Sequence, residues 1–257
     1  MYRFFVSPEQ IGEKNIVIQG ADVNHIRHVL RMKSGEQLRL CTGLDQKEYR
    51  CEIAAYTEDT VITRIMWVEE NGIELPSRLY LFQGLPKNDK MELIIQKAVE
   101  LGVYEIIPMA TKRAVVKLDN KKEAAKLKRW NAISESAAKQ SKRMIIPQVR
   151  EVMTFGEALD YAGQLDVLLI PYELAEDMEK TRRTIDGIIP GQSAGIMIGP
   201  EGGFDETEVA LAMEAGASPM TLGRRILRTE TAGMAVLSVL MYHLEDREAS
   251  DRMICVE

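Results

Sequence analysis

From Arg78 onward, short apolar segments alternate with segments that have helical periodicity. Buried strands are predicted in "RLYLFQGL", "YEIIPMAT", "LDVLLIPY" and "SAGIMIG", and a short strand in "SPMTLG". After the first of them, apolar residues recur at helical spacing from Met91 to Leu101, and Gly102 ends the helix. The last segment, "ETAGMAVLSVLMYHLEDR", is apolar nearly all round and is expected to be a buried helix. This alternation predicts an α/β fold with a largely parallel sheet.

The first 70 residues predict a different domain. Turn residues separate four short runs of strand character, which are "NIVIQG", "QLRLCTG", "EYRCEIAAYT" and "TVITRIMWVEE". One helical turn is predicted in "DVNHIRHVLRM". Such a set of short strands favours a small β-barrel. The segment Glu69–Ser77 contains Asn-Gly and a proline and is the predicted linker, which divides the chain into residues 1–72 and 73–257.

Several classes of protein are disfavoured by composition. No apolar run reaches the length of a bilayer span, and the N-terminal residues lack the pattern of a signal peptide. Cys41, Cys51 and Cys255 form no CxxC pair, so we expect neither a zinc site nor a disulfide framework. We therefore expect a cytoplasmic protein with no metal and no membrane partner.

The charge is segregated along the chain. The net charge is −6, which taken alone argues against a nucleic-acid partner. Residues 111–150, the basic segment, carry 12 Lys and Arg against 3 Asp and Glu, whereas residues 151–257 carry 8 against 20. The basic segment either guides a polyanion to one face of the protein or is the solvated face of a lysine-rich helix.

A glycine-rich loop, "IGPEGGF" at residues 198–204, follows one of the predicted strands. Ligands of open α/β sheets bind at the carboxyl ends of strands, and glycines let the backbone approach a ligand closely. The loop is neither GxGxxG nor a phosphate loop, so nucleotide-binding motifs of those kinds are not indicated. Asp205 is expected to cap the next helix, with Glu208 completing a capping box. The alternative is a tight turn between strand and helix without a ligand.

A second motif, "LGRRILRTETA" at residues 222–232, precedes the final helix. Thr229 is a possible helix cap. Arg228 lies beside the N-terminus of a buried helix, which carries partial positive charge and therefore disfavours a cation. A residue in an electrostatically unfavourable position of this kind indicates function. The alternative is a surface arginine that pairs with Glu230 or another acid.

The remaining polar motifs are less specific. His25, His28 and His243 stand at no catalytic spacing from a cysteine or an acid, so a triad is poorly supported. "HIRHVLR" either contacts RNA or contains satisfied structural histidines. The helix around Lys90 has a polar face typical of solvated helices, and spacing alone assigns it no chemistry.

Six motifs in this order resemble the RsmE family, the 16S ribosomal RNA uridine-N3 methyltransferases of the SPOUT class. They are "RFF", "HIRHVLRMKSGE", "QKAVELGV", "QSKR", "IGPEGGF" and "LGRRILRTETA". The resemblance covers nearly the whole chain. It implies an N-terminal PUA-like β-barrel that binds RNA and a C-terminal α/β domain with a trefoil knot, a rare exception to unknotted topology. It also implies a homodimer and S-adenosyl-L-methionine as methyl donor.

The resemblance implies three cofactor loops, of which the third lies around residues 171–173. The implied cofactor-binding residues are Ile198, Gly199, Pro200, Glu201, Gly202, Leu222, Gly223, Ile226, Leu227, Arg228 and Pro171. The implied RNA-binding residues are Arg3, His25, Arg27, Arg31, Lys112, Arg113, Lys142 and Arg143. In one departure from the family pattern, Lys139 stands where an acid commonly precedes "QSKR", which adds positive charge there.

Uridine N3 carries a proton that must leave when the methyl group arrives. Arg228 is the first catalytic candidate, because it could stabilise negative charge on the uridine O2 or O4. Glu201 and Glu230 are the candidate proton acceptors if burial raises the pKa of either carboxyl. Two alternatives stay open, a SPOUT methyltransferase for another ribosomal or transfer RNA nucleotide and a non-catalytic RNA-binding protein.

Overall fold

The computed structural model describes residues 1–70, 72–116, 120–173, 175 and 177–254. It divides into two compact units, residues 1–74 with 138–146, and residues 75–137 with 147–257. Asn71 of the predicted linker, Lys117 of the basic segment and Cys255 lie outside the described residues. The assignment of one function to residues 1–72 and another to 73–257 stays a prediction.

The first unit contains a five-stranded sheet. Its strands are β1 (Arg3–Phe5), β2 (Asn15–Gln19), β3 (Gln37–Cys41), β4 (Glu48–Tyr56) and β5 (Thr60–Glu69), in the order β1-β3-β4-β5-β2. β1 is parallel to β3, and the other pairs are antiparallel. Alternate residues such as Ile16, Ile18, Leu38 and Leu40 are buried, as the period of a one-sided sheet requires. The predicted β-rich unit is confirmed.

Two short helical segments complete the described part of that unit's N-terminal half. A single 3-10 turn covers Pro8–Gln10. Helix α1 (Ala21–Asn24) runs directly into a π-helical turn, His25–Val29, at the predicted helical motif. Ile26 is buried on its inner side, and π-turns are frequent at functional sites.

The second unit contains a sheet whose strand pairs are all parallel. The strands are β6 (Arg78–Gly84), β7 (Val103–Ala110), β8 (Gln148–Val149), β9 (Met153–Thr154), β10 (Val167–Pro171), β11 (Ser193–Ile198) and β12 (Ser218–Met220). The order is β12-β10-β11-β6-β7-β8, and β9 pairs with β7. The predicted α/β fold with a parallel sheet is confirmed. The threading of the chain into a trefoil knot stays a prediction.

Helices lie between and after these strands in the chain. They are α2 (Lys90–Glu100), α3 (Asn120–Gln140), α4 (Phe155–Ala162), α5 (Met178–Asp186), α6 (Glu206–Glu214) and α7 (Thr229–Ile254). Sequence periodicity missed α4 and α5, although both begin at a cap: the Thr154 hydroxyl accepts from the Glu157 N–H, and the Asp177 carboxylate accepts from the Lys180 N–H. The capping box Asp205–Glu208 of α6 is confirmed.

Helix α7 differs from the prediction of burial on all sides. Val236, Leu237, Leu240 and Leu244 are buried, whereas Tyr242 is 73% exposed. Some apolar residues of α7 therefore stay exposed to solvent in the single chain. Within the described part of the chain, no helix is long and apolar enough to cross a membrane.

Candidate functional site

Three loops leave the parallel sheet at one edge. β10 lies between β12 and β11, and all three strands run in the same direction. Pro171 at the end of β10 pairs with Met220 at the end of β12, and the Tyr172 N–H donates to the Met220 carbonyl at 3.0 Å. The loops after residues 171, 198 and 220 therefore begin side by side at the carboxyl edge, where α/β sheets bind ligands.

The loop after β11 packs backbone against backbone. A Cβ added at Gly84 would lie 2.7 Å from Pro200 Cδ and 2.8 Å from Pro200 N, and one at Gly199 would lie 2.9 Å from the carbonyl carbon of Gly203. The turn closes with the Gly203 N–H donating to the Pro200 carbonyl at 2.9 Å, and Gly203 has φ +67°. Glycine is required here because any side chain would push the loop off the end of β6.

A buried hydrogen-bond chain ties three segments together beneath this loop. Gln83 Nε2 donates to the Thr229 hydroxyl at 2.9 Å, and that hydroxyl donates to the Gly199 carbonyl at 2.6 Å. Both side chains are buried. Thr229, predicted as a possible cap, thus links the start of α7 to β6 and to the loop after β11. Gln83 was missed, although a glutamine inside the apolar run "RLYLFQGL" was a signal for a buried polar contact.

We expect Thr229→Val to lower the free energy of unfolding by about 1–3 kcal/mol, because valine leaves the buried Gly199 carbonyl without its donor. Urea unfolding followed by circular dichroism measures this loss. Thr184→Val is the matched control, since the Thr184 hydroxyl donates to the Lys180 carbonyl in a solvent-exposed hydrogen bond, and its loss should change stability by less than about 0.5 kcal/mol. Equal stabilities of the two variants would contradict a structural role for the buried chain.

Three charged side chains, Lys90, Glu201 and Glu230, meet near the loop after β11. Lys90 Nζ lies 3.1 Å from Glu201 Oε1 and 3.3 Å from Glu230 Oε2. Glu201 also accepts from the Lys87 backbone N–H at 3.1 Å. Lys90, from a helix to which spacing assigned no chemistry, is thus a site residue that sequence reasoning missed.

The environment of Glu201 contradicts the expectation of a carboxyl tuned toward a raised pKa. Burial acts to raise the pKa of Glu201, but hydrogen bonds from backbone N–H groups, including that of Lys87, and the ammonium of Lys90 outweigh it. The net result is a lowered pKa. A carboxylate with a lowered pKa is a weak proton acceptor, so this environment weakens the case for Glu201 as base.

Arg228 directly precedes the buried Thr229 at the start of α7. Its side chain is exposed, and no ion pair joins it to Glu230 within the residues that the structure describes, unlike the alternative raised by the sequence. Its carbonyl accepts from the N–H groups of Thr231 and Ala232 at the start of α7. Ile226 beside it is 86% exposed, and Gly223 has φ +98°, a conformation that favours glycine. The motif therefore exposes Ile226 together with the guanidinium groups of Arg224, Arg225 and Arg228.

Two predicted RNA-binding residues hold the neighbouring loop in place. Arg113 Nη1 donates to the Gly202 carbonyl at 3.1 Å, and Lys112 Nζ lies 3.6 Å from Asp205. The Lys112 N–H donates to Glu208 at 2.8 Å. Both side chains stay largely exposed, so they can also meet a phosphate.

The predicted RNA-binding residues of the first unit differ in accessibility. Arg143 is 5% exposed and pairs with Glu74, so its contact with RNA is disfavoured by burial. Arg3 pairs with the buried Glu48 and is also largely enclosed.

The other four remain at the surface. Arg27 stacks on the Tyr56 ring at 5.1 Å, and His25 packs edge-on against Phe4. Arg31 and Lys142 are accessible to solvent. Both have a left-handed backbone conformation, with φ of +53° and +62°. Lys139, the departure from the family pattern, lies 3.9 Å from Asp22.

No group of three or more His, Cys, Asp or Glu that could hold a metal ion occurs among the described residues.

The site residues do fit an adenosylmethionine. The glycine loop is packed closely enough to bring backbone groups near a ligand, and the Lys90–Glu201–Glu230 cluster carries one net negative charge, which is compatible with a cationic sulfonium. Glu230 Oε2 is buried and contacts the Lys90 ammonium at 3.3 Å.

Known proteins match both units. Residues 73–241 match the RNA methyltransferase domain family, and residues 18–66 match the RNA methyltransferase PUA domain family. The ribosomal RNA small subunit methyltransferase E of Bacillus subtilis is 38% identical over 95% of this chain and 98% of its own length. That of Mesomycoplasma hyopneumoniae is 34% identical over 93% and 98%. A crystal structure of ribosomal RNA small subunit methyltransferase E from Neisseria gonorrhoeae bound to S-adenosyl methionine has a TM-score of 0.80 and 32% identity, covering 94% of this chain and 97% of that one.

Proposed function

We infer the reaction from the family of this chain. The chain belongs to the RNA methyltransferase family and, within it, to the ribosomal RNA small subunit methyltransferases E. The chain is an enzyme, its methyl donor is S-adenosyl-L-methionine, and its substrate is small subunit ribosomal RNA. The observation that carries this function is a match over nearly the full chain to relatives of one activity. We propose that the acceptor is N3 of a uridine in 16S ribosomal RNA and that the enzyme acts in the cytoplasm.

We propose that adenosylmethionine lies across the carboxyl edge of β10, β11 and β12. The residues that would hold it follow those strands: Pro171, Ile198 to Gly202, and Leu222, Gly223, Ile226, Leu227 and Arg228. Their backbone N–H and carbonyl groups can recognise adenine without a charged side chain. The cofactor supplies an activated methyl group on a cationic sulfur. The residues of this chain fix its position, which is worth much of the rate in a direct transfer.

The proton on uridine N3 must be accepted as the new bond to carbon forms. We propose that the Arg228 guanidinium faces the uridine carbonyl oxygens and stabilises the negative charge that develops there. Glu230, in the first turn of α7 beside the buried Thr229, is the acceptor that we propose for the proton. Glu201 serves the site mainly as an ionised partner of Lys90.

We propose that phosphates of the RNA are met by exposed cations of both units, chiefly Lys112, Arg113, Arg27, Arg31 and Lys142. The affinity for RNA should fall roughly 50-fold between about 50 and about 200 mM salt if four phosphates of a single strand are contacted. Fluorescence anisotropy with a labelled ribosomal RNA fragment measures this slope. Lys112→Gln should reduce the slope of log K against log salt by about 0.7, whereas a flat response of the wild type would contradict electrostatic docking.

We propose that the enzyme is a homodimer that covers the exposed apolar side of α7. Val239 and Tyr242 lie on that side, and Ile226 is exposed in the motif that precedes the helix. Exposed apolar residues grouped on one helix indicate a protein partner. A second copy of this chain offers the same surface, as a two-fold interface requires.

The function is tested by transfer of label from S-adenosyl-L-[methyl-³H]methionine. Purified small ribosomal subunits from a strain that lacks this gene are the substrate, with large subunits and transfer RNA as controls. Label in the small subunit RNA alone is the expected result. Label in transfer RNA or in large subunits would support a different substrate. Binding of adenosylmethionine without transfer to any of the three would overturn the proposed substrate class.

A further inference from the structure

Lys90 is the first residue of α2, where a cation is unfavourable. The N-terminus of a helix carries partial positive charge, and acids rather than lysines stabilise it. The helix is fixed by its apolar face, since Met91, Ile94 and Ile95 are buried. The backbone of Lys90 is therefore held at the start of α2, where nearby acids would offset the unfavourable position of its ammonium.

The compensation comes from two carboxylates on other segments. Glu201 lies in the loop between β11 and α6, and Glu230 lies in the first turn of α7. The Lys90 ammonium is within 3.3 Å of both. The exposed fractions of the three side chains are 28%, 28% and 15%, so the ion pairs are partly shielded from water. Pairs in such places are stronger than those of fully exposed side chains.

The charges of this cluster depend on the lysine. Two carboxylates that share one site without a cation repel each other, and one of them then takes up a proton more readily. Glu201 and Glu230 contact the ammonium from two different segments. The acids near Lys90 in sequence are Asp89, the N-cap of α2, and Glu92 in its first turn, which pairs with Arg129. With Lys90 in place, both carboxylates can stay ionised where the cationic donor and the uridine are proposed to meet.

We propose that Lys90 is a positioning residue for methyl transfer, whose ammonium holds the Glu201 and Glu230 carboxylates side by side and ionised at the cofactor edge. This inference rests on the proposed function only for its kinetic test. It adds to that function a residue from α2, a helix that lies outside the three cofactor loops. The arrangement joins the start of α2, the loop after β11 and the start of α7 through one cation.

The test compares Lys90→Met with Lys90→Arg and with the control Lys97→Met. Lys97 lies on the same helix and pairs with Glu100 at 2.8 Å, so its replacement removes one lysine–glutamate pair away from the site. We expect Lys90→Met to lower kcat at least 30-fold. The acid limb of its pH–rate profile should move to higher pH by at least about one unit, because loss of the cation raises the pKa of a neighbouring carboxyl. Lys90→Arg should restore the position of the limb, and Lys97→Met should not move it.

A structural role alone would lower stability without moving the acid limb. The double variant Lys90→Met with Glu201→Gln removes one of the two repelling carboxylates and should return the limb toward lower pH. An unshifted limb in Lys90→Met, with wild-type kcat, would overturn the inference while leaving the methyltransferase function intact. If the wild-type enzyme transfers no methyl group, the proposed function fails instead.

A measurement without turnover separates these outcomes. In protein labelled with ¹³C at the glutamate carboxyl carbons, the Glu201 and Glu230 signals report ionisation directly. We expect at least one of the two titration midpoints to rise in Lys90→Met and both to stay unchanged in Lys97→Met. Unchanged midpoints in Lys90→Met would overturn the inference whatever the activity.

Discussion

Replacing Gly84 with alanine should weaken the binding of S-adenosyl-L-methionine at least 30-fold, roughly 2 kcal/mol of binding free energy. The alanine Cβ would lie 2.7 Å from Pro200 Cδ and 2.8 Å from Pro200 N, closer than non-bonded atoms approach a Cβ in proteins. The backbone of Gly84 is not left-handed, so alanine is compatible with its φ and the effect comes from the displaced loop. Overpacking of this kind typically costs about 1–3 kcal/mol.

Isothermal titration calorimetry with the free cofactor measures the loss. Gly156→Ala is the matched control, because no atom lies within 4 Å of its added Cβ in α4. That control should bind the cofactor normally, and it should be neutral or more stable, since glycine within a helix costs about 1 kcal/mol relative to alanine. Normal cofactor binding by Gly84→Ala would contradict the assignment of the loop after β11 to the cofactor.

Arg228→Ala should fold normally and methylate at least about tenfold more slowly, which corresponds to roughly 1.4 kcal/mol of barrier. The side chain is exposed, so its removal leaves no cavity, whereas the guanidinium is the group proposed to face the uridine carbonyls. Single-turnover kinetics with saturating cofactor isolate the transfer step.

Arg224→Ala is the control for Arg228→Ala, because Arg224 is an exposed arginine of the same motif to which no role in the site is assigned. It should transfer methyl groups at the wild-type rate. A wild-type rate in Arg228→Ala would remove Arg228 from the mechanism. Arg228→Lys separates charge from geometry, since lysine keeps the charge but loses the planar fork of donors.

Local rules predicted those parts of the fold that depend on neighbouring residues. The periodicity of α2, the Asp205–Glu208 capping box and the apolar strands of the sheet could all be predicted from short stretches. Helix α5 was missed because "MEKTRRTID" offers few apolar residues to mark a buried face. Helix α4 carried a readable signal, the Thr154–Glu157 capping box.

Contacts between distant segments could not be read from the sequence. Gln83 and Thr229 are 146 positions apart, and their hydrogen bond exists only because β6 and α7 meet at the end of the sheet. The contacts of Lys90 could not be read from the sequence either. Its position in α2 is typical of a solvated helix face, and only the folded chain brings Glu201 and Glu230 to it. Arg143 is among the RNA-binding residues that the family resemblance implies, yet it is buried and paired with Glu74, which lies 69 positions away. Charge counted along a chain does not distinguish a phosphate ligand from a buried ion pair.

Methylation of uridine N3 in the ribosomal RNA of the small subunit is tested by digesting labelled RNA from the transfer reaction to nucleosides. The nucleosides are then separated by chromatography with mass detection. Label that co-elutes with 3-methyluridine is the predicted result. Label in any other nucleoside would contradict the claim, and would assign the same cofactor loops to a different acceptor atom.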